Sequence, residues 1–477
     1  MLRRFSVLLY VFLSASVHAE PLPEQDIPAL LQARVKETQG TAIVAGIIDA
    51  QGRRFYSYGP ADTVSGKPVD EHTLFEIGSV TKLFTSLLLA DMAVKGEVKL
   101  DDPVQLHLPP GVKAPQFGEQ PIRLVDLSLH RSGLPVDLTQ LPMGPAEIIA
   151  QGYDIQSLYR FVSAYTLNRA PGKTEYSNVG VSLLGFALAS RAGHSYEQLI
   201  RDRITGPIGM RDTGITFTPA MRARLAQGYK GTTAQPSISG VPAYAPAGGL
   251  YSTASDMLNF LGAAFSLTTS PLDAAMAYMR KPYREKPDVR LGWGMDRRYG
   301  SELWTHAGRT FGYASMVAFD ASAGRGVVLL ANSTTELSDL AHRILNTKFR
   351  LRQFVAPPAF VRMVEESHFG QVMAAYRALK HRDPEFFLEE SIINEWGGVL
   401  LNKGRTRQAI ALLAFNCQQF PKSANTFDSL GEAYEASGDR TQAIAAYRKA
   451  LELDPKFSNA GARLRVLAPP ESHGGAK

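Results

Sequence analysis

The 477-residue chain has one cysteine, Cys417, so no disulfide can form within it. Its longest apolar run near the amino end, Phe5 to Val17, is too short to cross a bilayer, and no later run is longer. Charge of one sign is also scarce. The net charge is +6 and no Lys/Arg cluster stands out, which excludes the basic footprint of a nucleic-acid binder. Gly-x-Ser-x-Gly and His-Glu-x-x-His are both missing, which argues against an α/β-hydrolase elbow and a zinc-peptidase helix.

What is present begins with a processing signal. Arg3 and Arg4 precede the apolar run, and Val17-His18-Ala19 offers small residues for cleavage before Glu20. Residues 1–19 are therefore expected to be a signal peptide, with a retained anchor as the alternative. No cysteine follows the run, which excludes lipidation there. The expected location is periplasmic or secreted, with no transmembrane anchor. An exported chain without disulfides must hold together by its core, and 45% hydrophobic content over this length supports more than one domain. Cys417 lies in an apolar helical stretch and reads as a buried structural residue.

Thr41 to Asp49 and Arg53 to Tyr58 read as strands joined at Gln51-Gly52. Gly312 to Phe319 and Val327 to Ala331 read as strands around a turn, and Leu303 to Thr305 leads as a strand into His306. Between these ends, Ser79 to Lys95, Ile155 to Ala164, Val181 to Ala192 and Ala254 to Phe265 have helical spacing. The pattern predicts an α/β protein of the α+β type, an antiparallel sheet built from both ends of the region around a helical insert.

Val355-Ala-Pro-Pro-Ala359 looks like a linker, here given the bounds 353–364, and the catalytic region is set at 20–352. Beyond it Gly404, Ala409, Ile410 and Pro421 recur as Gly438, Ala443, Ile444 and Pro455, each 34 residues on (438 − 404 = 34). This period resembles the tetratricopeptide repeat and is assigned to 365–466, with a degenerate unit around Ala374 to Pro384. The remainder, 467–477, reads as a disordered tail. The repeats serve either as a docking groove for a protein partner or as a helical appendage packed on the catalytic domain. Their small number favours the second reading.

Three short motifs carry the chemistry. Ser79-Val80-Thr81-Lys82 follows Phe75-Glu-Ile-Gly78 and opens a helix with one apolar face. Three residues apart, Ser79 and Lys82 are neighbours on the helix surface. A serine hydroxyl needs a base to take its proton, and a lysine desolvated beside an apolar face can become that base. Tyr176-Ser177-Asn178 follows Pro171-Gly172 and opens a second helix. Tyr176 is placed to pass a proton to a leaving group once Lys82 lowers its pKa. Asn178 is placed to hold Lys82 or bind a substrate amide, and Ser177 or Asn178 to cap the helix. His306-Ala307-Gly308 leaves a strand whose edge N–H groups can face an oxyanion, and Gly308 lets a ligand approach the main chain. A Ser-x-x-Lys match alone arises by chance about once or twice in a chain of this length. The three in this order specify a nucleophilic serine hydrolase.

These motifs resemble the serine β-lactamase and penicillin-recognising superfamily, and its class C branch with the related D-alanyl-D-alanine carboxypeptidases and β-lactamase-fold esterases. Leu129-His-Arg-Ser-Gly-Leu-Pro135 and Pro246-Ala-Gly-Gly-Leu-Tyr-Ser-Thr253 are similar too, and the likeness spans roughly residues 25 to 350. The resemblance implies that Ser79 carries the acyl group. Lys82 and Tyr176 share acid–base work, and Asn178 orients Lys82 and the substrate amide. The N–H groups of Ser79 and Arg309 would form the oxyanion hole. No metal or organic cofactor is implied. His306-Ala307 stands where class C enzymes carry Lys-Thr, which removes a fixed cation for a substrate carboxylate, and Arg309 is the expected replacement. The expected substrate is a small molecule or peptide. β-Lactam hydrolysis comes first, D,D-carboxypeptidase second and esterase third. A non-enzymatic sensor that recruits a partner through the repeats is the reading from another class.

Overall fold

The computed structural model describes residues 20–38, 40–138, 145–238, 241–285, 289–353, 356–384 and 386–468. The expected signal peptide, 1–19, and residues 469–477 of the expected tail 467–477 lie outside these residues, whereas Leu467, given to that tail, is the last residue of a helix. The chain divides into two compact units between Leu351 and Arg352.

The first unit is built on six antiparallel strands: β1 (Ile43–Asp49), β2 (Gly52–Tyr58), β3 (Gly294–Asp296), β4 (Leu303–Arg309), β5 (Ala314–Asp320) and β6 (Arg325–Ala331). Their order across the sheet is β2-β1-β6-β5-β4-β3, so strands from the two ends of the region meet at the β1–β6 pair. Successive residues point to opposite faces. In β1, Val44 and Ile48 join the larger core, and Ile43, Ala45 and Ile47 join the smaller one. Both faces are covered, which is why Ile43 to Asp49 reads as a continuous apolar run.

On the smaller-core side lie α1 (Ile27–Glu37) and α6 (Ser338–Leu345). The insert supplies α2 (Thr81–Val94), α3 (Ile155–Ala164), α4 (Asn178–Ala192) and α5 (Ala254–Ala264). Phe84 of α2 stacks on Phe260 of α5, with ring centroids 4.7 Å apart. The helices start where local chemistry satisfies their free N–H groups. The Ser177 hydroxyl accepts from Gly180 N–H and starts α4 at Asn178, three residues before the expected Val181. The expected helix at Ser79 begins as a 3-10 turn over Gly78–Val80 and becomes α-helical at Thr81.

The second unit is helical: α7 (Pro358–Glu366), α8 (Val372–Arg382), α9 (Glu390–Asn402), α10 (Thr406–Gln419), α11 (Ala424–Ala436), α12 (Arg440–Leu453) and α13 (Ser458–Leu467). One expectation fails here. Much of the span given to a linker, 353–364, is helix α7, with Phe360 and Val364 buried. Pro358 occupies the first helical position, where the missing N–H costs nothing, so the proline pair starts a helix here. Cys417 is buried, and burial pushes its thiol up to about 11, as befits a packing residue rather than a thiolate. No helix among the described residues is long and apolar enough to cross a membrane.

Candidate active site

Ser79 stands at the mouth of α2, and the structure brings Lys82, Tyr176 and Asn178 to it from two elements of the insert. Lys82 Nζ lies 2.9 Å from Ser79 Oγ, 2.9 Å from Asn178 Oδ1 and 2.6 Å from the Ala247 carbonyl. The lysine is 2% exposed. Burial drives its pKa down to about 7, and the charge of Asp137 pulls the other way. The network fixes which atoms donate. Asn178 Nδ2 donates to Asp137 Oδ1 at 2.9 Å, so Asn178 Oδ1 is an acceptor, and the Ala247 carbonyl can only accept. A neutral Lys82 has two N–H groups and one lone pair. The two hydrogens go to these acceptors, and the lone pair is left for Ser79 Oγ–H.

Tyr176 Oη lies 2.5 Å from Ser79 Oγ. Its ring stacks on His130, with centroids 4.4 Å apart, and lies 4.9 Å from Lys82 Nζ. The expectation that Lys82 lowers the phenol's pKa is not met. Burial raises it, the Ser79 hydrogen bond opposes that, and Asp137 adds to the rise. An uncharged amine exerts no such pull, so the resting Tyr176 is a proton donor.

The third motif differs from its expected form. The strand does not stop at Thr305. β4 runs through Arg309 and pairs with β5 along its whole length. Thr310 N–H bonds the Tyr313 carbonyl at 3.0 Å and closes the hairpin. Antiparallel ladders alternate bonded and open pairs, so Gly308–Ser315 is a bonded pair and Ala307 and Arg309 turn their peptide groups away from β5. On that side β3 reaches only to Thr305. A Cβ placed on Gly78 would lie 2.7 Å from Arg309 N, and one on Gly308 would lie 3.0 Å from Ser79 N, so the two main chains meet. Gly308 is needed by the chain itself, because its Cβ would fall 2.1 Å from the Ile77 carbonyl.

The Arg309 guanidinium is bonded to Glu336 at 3.2 Å and is 57% exposed. His306 Nδ1 sits 2.9 Å from the Ala307 carbonyl and donates to it. Burial, with the Lys82 charge second, pushes His306 down to about 3, so it is uncharged at neutral pH. His306, Ala307, Lys82 and Tyr176 line one cavity of about 420 Å³ together with His130 and Arg290.

Three partners in this site escaped sequence reasoning: His130, Asp137 and the Ala247 carbonyl. His130 accepts from Ser177 N–H at Nδ1, 3.1 Å away, in a left-handed backbone conformation (φ 55°). Burial pushes it down to about 4. The segment around His130 stood out only as part of the family likeness, because neither hydrophobic period nor motif spacing marks a residue in such a turn.

The beta-lactamase family model matches residues 27–349. The chain belongs to the beta-lactamase family. A tetratricopeptide repeat model matches residues 424–457, which places such a repeat at the carboxyl end. The chain is 33% identical over 265 residues to the D-alanyl-D-alanine-carboxypeptidase/endopeptidase AmpH of Escherichia coli (strain K12), covering 54% of this chain and 67% of that protein. It is 28% identical over 382 residues to a beta-lactamase of the same strain, covering 71% of this chain and 97% of that protein. Among solved structures, a class C beta-lactamase shares the fold with a TM-score of 0.60 at 20% identity, over 69% of this chain and 97% of the other. The beta-lactamase fold and membership of a serine hydrolase superfamily are thereby established.

Proposed function

We propose that this chain is an exported serine acyl hydrolase that cleaves amides through an acyl-Ser79 intermediate. The observation that carries the reading is the buried Lys82, uncharged near neutral pH, with its lone pair directed at Ser79 Oγ. Lys82 takes the Ser79 proton as Oγ bonds to the substrate carbonyl carbon. The oxyanion that forms is held by the N–H groups of Ser79 and Arg309, which lie where the two main chains meet. Tyr176 gives its proton to the leaving nitrogen, the C–N bond breaks, and the new Lys82 ammonium restores the proton to Tyr176. That ammonium lies against the Tyr176 ring, a favourable place for a transient cation. Water then repeats the sequence on the ester and releases the acid.

β-Lactam hydrolysis is the first reading of the substrate, consistent with a family match that runs from residue 27 to 349. D-Alanyl-D-alanine carboxypeptidase is the second, favoured by the 33% identity to AmpH and by the uncharged His306 in the place of a lysine. The tetratricopeptide match at 424–457 is consistent with a protein partner at the second unit, although the small number of repeats favours a helical appendage. One experiment separates the readings: mix the mature protein with a chromogenic cephalosporin and follow colour and intact mass. Rapid colour with no lasting adduct identifies a β-lactamase, and a stable adduct on Ser79 identifies a penicillin-binding peptidase. The absence of both removes β-lactam chemistry. The rate of acylation should fall about tenfold per pH unit below about 7, because protonated Lys82 cannot accept the Ser79 proton. A flat profile between pH 5 and 8, by stopped-flow colour release, would remove Lys82 as the base.

A further inference from the structure

Among the described residues that line the cavity of about 420 Å³ beside Ser79, Arg290 is the one permanent cation and none is a carboxylate. Lys82 is neutral when it acts as the base. His130 accepts from Ser177 N–H at Nδ1, so its ring carries a single proton. His306 donates from Nδ1 to the Ala307 carbonyl and is uncharged at neutral pH. The Arg309 guanidinium does not line this cavity and is held by Glu336 at 3.2 Å. A single fixed charge, with no anion in the wall to balance it, fits an anionic group on the substrate.

Arg290 is fixed in place by two contacts. Its Nε donates to the Arg280 carbonyl at 2.9 Å, and its guanidinium carbon lies 4.9 Å from the Trp304 ring. Trp304 and His306 are two residues apart on β4, so their side chains share one face of the sheet, about 7 Å apart along the strand. Arg290 therefore stands over the same face as His306, one repeat of the pleat further on. Gly292 and Gly294 continue the wall and contribute no side chain to it. A guanidinium offers a planar fork of N–H groups that matches a carboxylate. Tyr176, which protonates the leaving nitrogen in the mechanism above, lines this cavity, and Asn178 does not. The cavity thus receives the leaving group.

We propose, on the basis of the acyl-Ser79 reading above, that Arg290 is a specificity-determining residue that selects acyl donors whose leaving group carries a free carboxylate. The carboxylate lies beyond Tyr176 in the cavity and pairs with the Arg290 fork. The fixed cation that position 306 lacks is thereby supplied from the segment before β3. Acyl donors without the carboxylate still meet Ser79, Lys82 and Tyr176, and lose only this contact.

The test uses two thioesters of N-benzoylglycine that differ only in the leaving thiol, thioglycolate in one and its carboxamide in the other. Attack by Ser79 Oγ breaks the C–S bond of either and releases the thiol, which a thiol reagent reports. Rates are measured at pH 8, where Lys82 is mostly uncharged. Each kcat/KM is divided by the hydroxide rate of the same thioester, which cancels intrinsic reactivity. In the native protein at low salt the acid should then exceed the amide by about tenfold or more. Arg290→Gln should bring that ratio to within about twofold of one, and Arg290→Lys should keep it between the two. No preference in the native protein overturns the proposal, whether or not the variants fold. So does an unchanged ratio in folded Arg290→Gln, or an equal fall with both thioesters, which marks a structural role. Each of these leaves the acyl reading intact as long as Ser79 shows the adduct by intact mass. If neither thioester acylates Ser79 in the native protein, the acyl reading fails and this inference with it.

Discussion

Gly308 and Gly431 lie in the two units of the molecule, and each omits a side chain because another group occupies its place. At Gly308 that group is backbone: the Ile77 carbonyl lies 2.1 Å from where a Cβ would sit. At Gly431 it is the Tyr447 ring of the next helix, 2.7 Å away. The pair Gly397 and Leu413 repeats the second arrangement 34 residues earlier (431 − 397 = 34; 447 − 413 = 34), with 2.5 Å to the Leu413 side chain. In the first unit the close approach sets an active geometry made of segments far apart in sequence. In the second it sets a stacking distance that each unit copies from its neighbour.

The two units can be separated by substitutions that respect this difference. Lys82→Met should have the largest effect, a loss of about a thousandfold or more in acylation with the fold retained, read by adduct formation and far-UV circular dichroism. Full activity in that folded variant would dissolve the proposed chemistry. Gly308→Ala should follow, with about a hundredfold loss in kcat, because the displaced β4 no longer presents Arg309 N–H beside Ser79 N–H. Thermal unfolding would show whether the first unit survives the change. Gly431→Ala should be the smallest, about 1–3 kcal/mol of local stability by overpacking. Hydrogen exchange should rise in α11 and α12 while acylation of Ser79 stays within twofold. Slower acylation in Gly431→Ala would show that the units are not energetically separate.

The sequence makes the two units legible for different reasons. The 34-residue spacing is visible in the chain itself, so the repeats can be read without knowing what packs on them. In the first unit, the strands at both ends and the Ser79–Lys82 spacing are equally visible, because period 2 and i, i+3 proximity are local properties. The partners that decide protonation are not local. Ala247 and Asp137 reach Lys82 only through the fold, and no spacing reports them. His306 misleads in the same way: its residue type suggests a part-time cation, but burial and its bond to the Ala307 carbonyl keep it uncharged. The strand end was misplaced because Ala307 and Gly308 carry little β-propensity, and pairing with β5 overrides it. The linker was misread because a proline at a helix start resembles a proline that ends one.

The pairing of β1 with β6 sets the order in which the catalytic unit can be completed. Ile43 finds its partner only when Ala331 has been made, a separation of roughly 290 residues. Until then a chain emerging from its amino end has no finished central sheet, and β1, paired only with β2, keeps one unpaired edge. The central pair of the sheet therefore closes last, and whatever the helical insert has already formed is joined to the amino-terminal hairpin only when that final strand is made.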